Sequence, residues 1–108
     1  MGYKDIVKGV KFVPGYEELF DILMEAYEVA ASGKGHKRHG QGEPFVQQWI
    51  LRGSRRFGAG SLNYQIGKKN EEMLTMEEPE RKIRELLDII VYAAAEVILL
   101  RELEGKKK

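Results

Sequence analysis

The 108-residue chain contains no cysteine, and its longest uninterrupted apolar run is the seven residues 89–95. Without cysteine the chain has no disulfides, no thiolate metal centres and no thiol nucleophile, so any metal chemistry must use oxygen or imidazole ligands. Seven apolar residues fall far short of the ~20 needed to span a bilayer. The first residues lack the apolar stretch of a signal peptide, and Ile6 stands where a myristoylation signal has Ser or Thr. We therefore expect a cytoplasmic protein with no membrane partner.

Charge is balanced in total but not along the chain. Eighteen basic side chains face seventeen acidic ones, for a net charge of +1. Residues 33–60 carry six basic side chains and one acid, whereas residues 71–104 carry ten acids and four bases. A net charge near zero argues against general adhesion to nucleic acid, and the local basic block indicates an anion site instead.

Apolar periodicity predicts an all-α, four-helix bundle-like single domain. We place helices at residues 15–32, 44–57, 61–74 and 77–103, after an N-terminal arm at 1–14 that is either an edge strand or a segment laid on the core, and before a basic tail at 105–108. Pro44 suits a first helical turn, Ser61 is a predicted cap, and Thr75 with Glu78 reads as a capping box.

The fourth predicted helix is apolar on nearly all sides between residues 86 and 100. Such a helix must lie at the centre of a bundle or be shared with another subunit. Three shorter helices cover it with difficulty, so we also expect a homodimer or higher homo-oligomer formed through residues 86–100.

Two acidic stripes occur at helical spacing. The stripe on the first helix consists of Glu18, Asp21, Glu25 and Glu28. The stripe on the fourth helix consists of Glu85, Asp88, Tyr92 and Glu96, and there burial makes unpaired carboxylates costly. Each stripe either faces solvent, meets cations or holds a metal. If the two faced each other, their repulsion would require a divalent cation, and Mg²⁺ is the expected one.

The segments Glu25-Ala-Tyr-Glu28-Val29 and Glu85-Leu-Leu-Asp88 resemble the ExxE and ExxD motifs of the MazG-like all-α nucleoside triphosphate pyrophosphohydrolases. The stretch from about residue 33 to 69, with Gly-Lys-Gly, Arg-His and Glu-Pro-Phe, is similar to phage dATP/dGTP diphosphohydrolase-like proteins. The resemblance implies that Glu25, Glu28, Glu85 and Asp88 are Mg²⁺ ligands, and that the reaction releases pyrophosphate from a (deoxy)nucleoside triphosphate. Because 56 residues separate Glu28 from Glu85, it also implies an inserted helical pair.

Residues 33–42, Gly-Lys-Gly-His-Lys-Arg-His-Gly-Gln-Gly, contain no apolar side chain and predict a loop. Cationic side chains that alternate with glycines are typical of phosphate-binding loops, because the backbone N–H groups of glycines can approach an anion closely. The loop is either a solvated basic connector or a phosphate site, and it lacks the spacing of a Walker motif. The candidate nucleotide-binding residues in and beyond it are Lys34, His36, Lys37, Arg38, His39, Arg52, Lys68 and Lys69.

Single residues of the second and third helices carry further expectations. We predict that Trp49 packs in the core, with base stacking as the alternative. Arg52, with Arg55 and Arg56, forms either a phosphate clamp or a subunit interface. Lys69 interrupts an apolar stripe and should therefore either extend its ammonium group to solvent or contact an anion.

Three functions follow in order of preference. The first is a Mg²⁺-dependent nucleotide pyrophosphohydrolase in which Glu85 and Asp88 are catalytic. The second is a module that binds a nucleotide or a nucleotide-derived signal without hydrolysing it. The third is nucleic-acid binding through residues 34–56, which the acidic last third of the chain disfavours.

Overall fold

The computed structural model describes residues 12–32 and 44–106, and all regular structure within these two stretches is helical. The α-helices are α1 (Glu17–Ser32), α2 (Trp49–Phe57), α3 (Gly60–Met73) and α4 (Pro79–Lys106), and a 3₁₀ turn (Phe45–Gln47) precedes α2. The predicted all-α fold with four helices is confirmed. The Gly-rich loop and most of the N-terminal arm lie outside the described residues. In the part that is described, residues 12–16, Phe12 meets the ring of Phe20 edge-on at 4.8 Å between centroids.

Helix α4 is the central element, as its apolar sequence predicts. Helices α1, α2 and α3 all pack against it. The core lies between α2, α3 and α4, where five side chains are at most 8% exposed: Ile50, Leu51, Leu62, Ala95 and Leu99. Helix α1 packs chiefly on another side of α4 and buries Ala26. Among the described residues, no helix combines the length and apolar character needed to cross a membrane.

The segment predicted as one helix over 44–57 is two pieces. The 3₁₀ turn closes with a bond from the Gln47 amide to the Pro44 carbonyl, and Gln48 then adopts an extended conformation with φ −74° and ψ 162°. The Gln48 carbonyl accepts hydrogen bonds from the amides of the third and fourth residues of α2, Leu51 at 3.0 Å and Arg52 at 2.9 Å. Gln48 therefore occupies the N-cap position, where the backbone must leave helical geometry. The spacing of apolar residues does not reveal a break that consists of one extended residue.

The predicted caps are also placed differently. Helix α3 begins at Gly60, one residue before the predicted start, and the Ser61 hydroxyl donates to the Gly58 carbonyl at 2.8 Å instead of capping from outside the helix. The Thr75 hydroxyl donates to the Glu72 carbonyl at the end of α3, so it closes one helix and does not open the next. The break after α2 is as expected, because Gly58 has a φ of 96°, which side chains disfavour.

Candidate functional site

A cluster of three charged side chains joins α3 to α4. The Lys69 ammonium group donates to Glu85 Oε2 at 2.8 Å and to Asp88 Oδ2 at 3.3 Å. Glu85 and Asp88 are three residues apart on α4, so they project from one face of the helix and reach the same atom. The Lys69 side chain is 12% exposed, against 21% for Glu85 and 28% for Asp88. Two carboxylates therefore converge on one cation in a partly dry environment.

The electrostatics of the cluster favour a charged lysine. Burial lowers the pKa of the Lys69 ammonium group, but its hydrogen bond to Glu85 and the charge of Asp88 outweigh the effect of burial, so the pKa lies above its ordinary value. The prediction that Lys69 either reaches solvent or contacts an anion is resolved in favour of the anion. The acidic stripe of α4 meets a cation at Glu85 and Asp88, which is one of the three alternatives open from sequence.

A cleft of about 280 Å³ lies beside this cluster. Tyr92 links the two, because it lines the cleft and its ring centroid is 5.9 Å from the Lys69 nitrogen. Two other aromatic rings and several polar side chains line the cleft: Trp49, Phe57, Ser54, Ser61 and Gln65. The rings of Trp49 and Phe57 are half or more exposed, at 51% and 69%. Flat exposed rings of this kind can stack on a planar ligand.

Trp49 corrects a prediction. We expected it in the core, but Ile50 and Leu51 occupy the core and the indole lies outside, over Gly53. A Cβ at Gly53 would come within 3.2 Å of the indole, so the glycine lets the ring lie along α2. Because α2 starts at Trp49 itself, the helix places residues 50 and 51 inward and turns residue 49 toward the cleft.

The hydroxyl groups of the two serines of the cleft are engaged by protein atoms. Ser54 donates its hydroxyl hydrogen to the Ile50 carbonyl at 2.7 Å, and Ser61 is placed to donate to the Gly58 carbonyl at 2.8 Å or to Ser54 Oγ at 3.3 Å. Ser54 is 3% exposed, whereas Ser61 is half-buried, so the Ser61 oxygen is the better placed of the two to accept a hydrogen bond from a ligand.

A second, larger groove of about 520 Å³ lies between α1 and α4. Its walls are almost entirely apolar, and they include Leu23 and Tyr27 of α1 and Ile90 and Ile98 of α4. Gln48 is its main polar side chain. The groove lacks charged groups among its lining residues, so it is not a site for phosphate chemistry.

The predicted metal ligands are not gathered at one point. Glu25 and Glu28 are exposed on α1, while Glu85 and Asp88 lie together on Lys69. Across residues 12–32 and 44–106, no group of three or more Asp, Glu or His side chains could hold a metal ion. Glu85 and Asp88 both accept hydrogen bonds from Lys69, and the four-ligand Mg²⁺ site stays a prediction.

The predicted nucleotide-binding cations divide into three groups. The loop residues lie outside the described part of the chain: Lys34, His36, Lys37, Arg38 and His39. Arg52 is exposed on α2, and Lys68 is 56% exposed with its ammonium group 4.0 Å from Glu72. Lys69 joins the charged cluster with Glu85 and Asp88. Arg55 was predicted to be part of a phosphate clamp or of a subunit interface. Its guanidinium group donates two hydrogen bonds to the Glu102 carboxylate, at 2.7 and 2.9 Å, and this bidentate pair raises the pKa of Arg55.

Sequence reasoning missed the cleft. Its residues come from α2, α3 and α4 and share no local motif, so their meeting depends on how the three helices pack. One local signal was available: Gly53 and Ser54 are small residues in mid-helix, which permit close contact with a neighbouring element.

Searches of protein-family models, of curated proteins and of solved structures found no match to this chain.

Proposed function

We propose that this protein is a Mg²⁺-dependent (deoxy)nucleoside triphosphate pyrophosphohydrolase that uses Glu85 and Asp88. The observation that carries the proposal is the convergence of both carboxylates on one cation, at 2.8 and 3.3 Å, beside a cleft lined by aromatic rings. Mg²⁺ is usually bound in proteins by one or two carboxylates together with substrate phosphates, so two carboxylates suffice.

The cleft fits the base of a nucleotide. Trp49 and Phe57 offer ring faces for stacking, and the Ser61 oxygen offers an acceptor for an exocyclic amino group. A base held there leaves its phosphates to extend past Tyr92 toward the charged cluster. The basic residues 34–39 are the proposed second source of phosphate contacts.

The reaction would add water across the bond between the α- and β-phosphates, yielding a nucleoside monophosphate and pyrophosphate. Mg²⁺ when bound supplies neutralisation of phosphate charge and a lowered pKa for water. Glu85 and Asp88 would bind the Mg²⁺ ion, and one of them accepts the proton of the attacking water. Lys69 exchanges its carboxylate partners for a phosphate oxygen and so compensates negative charge on the leaving pyrophosphate.

The test is pyrophosphate release from each of the common (deoxy)nucleoside triphosphates with Mg²⁺. Asp88→Asn and Glu85→Gln should each lower turnover by at least ~100-fold, as expected for loss of a general base or metal ligand. Glu80→Gln is the matched control, because Glu80 is an exposed acid in the first turn of the same helix. No release with any of these nucleotides would contradict the proposal.

Lys69→Met separates a metal site from a purely structural ion pair. Removing the resident cation should strengthen the binding of Mg²⁺ alone, measured by calorimetry, because two carboxylates then lack a partner. Lys69→Met/Asp88→Asn should lose that gain. If Lys69→Met binds no Mg²⁺, the carboxylates serve only to hold α3 on α4.

One observation favours a second function, the non-catalytic binder. Lys69 already gives both carboxylates a cationic partner, so the cluster is held together without any metal while the cleft binds a ligand. A nucleotide that binds with Mg²⁺ absent and is recovered chemically intact after incubation would support this function over hydrolysis.

A further inference from the structure

Helix α4 has a second apolar face that the described helices leave mostly exposed. One of its members, Ile90, is half-buried and also lines the groove between α1 and α4. The members of this face recur at alternating steps of three and four residues, which is the spacing of positions a and d in a heptad repeat. Ile83, Ile90 and Val97 are at position a, and Leu86, Ala93 and Leu100 are at position d. We call these six residues the a/d seam. Such a repeat over about 27 Å of helix is the pattern that pairs two helices in a coiled coil.

The seam lies away from the core. Leu87, Ala95 and Leu99 turn inward and are at most 6% exposed. By contrast Ile83, Leu86, Val97 and Leu100 are 46 to 52% exposed, and Ala93 is exposed as well. A continuous apolar face of this length on the surface marks an interaction site.

The residue types at the two positions indicate the partner. Among parallel coiled coils, β-branched Ile and Val at a, with Leu at two of the three d positions, favour a pair of helices over a trimer or tetramer. In a parallel pair with two-fold symmetry each seam residue meets its own equivalent, so the pattern that one helix presents is the pattern that it needs. Ala93 at the centre allows the two backbones to approach closely.

The charges beside the seam complement themselves in the same arrangement. Glu96 is at position g and Arg101 is at position e of the next heptad. They flank the seam on opposite sides, so in a parallel pair Glu96 lies beside Arg101 of the partner subunit, and the same contact forms twice. The remaining g and e positions are Lys82, Leu87, Ile89 and Ala94, which bring no like-charge pair together.

We propose that a second copy of this chain covers the a/d seam, through parallel pairing of α4 with α4. The proposal is independent of the proposed function, because Glu85 and Asp88 face α3 while the seam lies on the opposite side of α4. A dimer without activity, or an active monomer, therefore separates the failure of one from the failure of the other.

Light scattering during size-exclusion chromatography at micromolar concentration tests the proposal. Two copies of the 12.4 kDa chain should elute as a dimer, and Leu86→Lys should elute as a folded monomer with unchanged circular dichroism. Leu74→Lys is the matched control, because Leu74 is 78% exposed and lies outside the seam, between α3 and α4. A monomeric unmodified chain, or a dimer that persists in Leu86→Lys, would overturn the proposal.

Orientation is tested with single cysteines, which the cysteine-free chain makes unambiguous. Under mild oxidation Leu100→Cys should form a disulfide-linked dimer with itself, since residue 100 meets residue 100 in a parallel pair. Antiparallel pairing would place residue 100 beside residue 83 of the other copy. Cross-linking seen only in a mixture of Ile83→Cys and Leu100→Cys would therefore contradict the parallel arrangement, and Leu74→Cys should not cross-link.

Charge reversal tests the flanking pair without altering the apolar seam. Glu96→Arg should weaken dimerisation by roughly threefold or more, because two contacts change sign per dimer. Glu96→Arg/Arg101→Glu should restore it. An equal loss in the double variant would show that Glu96 and Arg101 do not face each other.

Discussion

The two sides of α4 hold their neighbours by different physics. On one side, α2 and α3 bury a compact core, and Lys69 of α3 is fixed by hydrogen bonds to two carboxylates of α4. On the other side, α1 lies along an apolar groove and buries Ala26, while Leu19, Ile22 and Leu23 stay 44 to 54% exposed. Directional bonds set the position of α3 along α4, whereas the apolar contacts along the groove specify the position of α1 less tightly.

The comparison shows which side of α4 suits the proposed site. The charged cluster and the aromatic cleft are on the side where α2 and α3 pack against α4, and a site needs side chains held at fixed distances. The open side carries apolar surface without charge, which suits binding to another apolar surface.

The largest expected difference in stability comes from the same substitution, Leu to Ala, made on the two sides of α4. Leu51→Ala should lower the free energy of unfolding by about 2–5 kcal/mol, because Leu51 is fully buried and its removal leaves a cavity. Leu23→Ala, on the α1 side at 48% exposure, should cost less than about 1 kcal/mol. Urea denaturation measures both, and equal losses would contradict the contrast between the two sides.

The next effect isolates the polar cluster. Lys69→Met should cost about 1–3 kcal/mol, because two carboxylates 21% and 28% exposed lose their shared cation. Lys68→Met is the control: its side chain is 56% exposed and its pair with Glu72 spans 4.0 Å, so a change within about 0.5 kcal/mol is expected.

The same cluster predicts a pH dependence. Because the pKa of Lys69 is raised in the folded protein, its contribution to stability is complete below the ordinary lysine pKa of about 10.5 and is lost as the pH rises through the folded-state value. The unfolding midpoint should therefore fall more steeply above pH 10.5 in the unmodified chain than in Lys69→Met. Parallel curves would show that the ammonium group does not stabilise the fold.

The smallest effect concerns the ion pair between Arg55 of α2 and Glu102 of α4. The two side chains form a bidentate pair, but both are about one-third exposed. Arg55→Gln should cost at most about 1 kcal/mol, and raising the salt concentration should shrink the difference from the unmodified chain. A loss as large as that of Leu51→Ala would mean that α2 is held mainly by charge.

The helical architecture was within reach of the sequence, because apolar spacing over long segments reports which face is buried. The central place of α4 follows from the run of apolar residues over 86–100, and the place of Lys69 in an apolar stripe left two alternatives open, solvent or an anion. In both cases the physical constraint acts along one helix and is visible in one stretch of sequence.

The candidate site was harder to predict because it forms between helices. Glu85 and Asp88 were identified as a pair, but that Lys69 would sit on them depends on the register of α3 against α4. The position of Trp49 depends on where α2 begins, which a single extended residue, Gln48, decides. The contribution of residues 34–39 is still a prediction, since they lie outside the described part of the chain.

The central claim is that Glu85 and Asp88 hold a functional cation, and Mn²⁺ in place of Mg²⁺ tests it directly. Crystals grown with Mn²⁺ and a non-hydrolysable deoxynucleoside triphosphate analogue should show an anomalous density peak at these two carboxylates, with Lys69 turned toward a phosphate group. Crystals that contain the analogue but show no peak there, with Lys69 still bound to both carboxylates, would contradict the account.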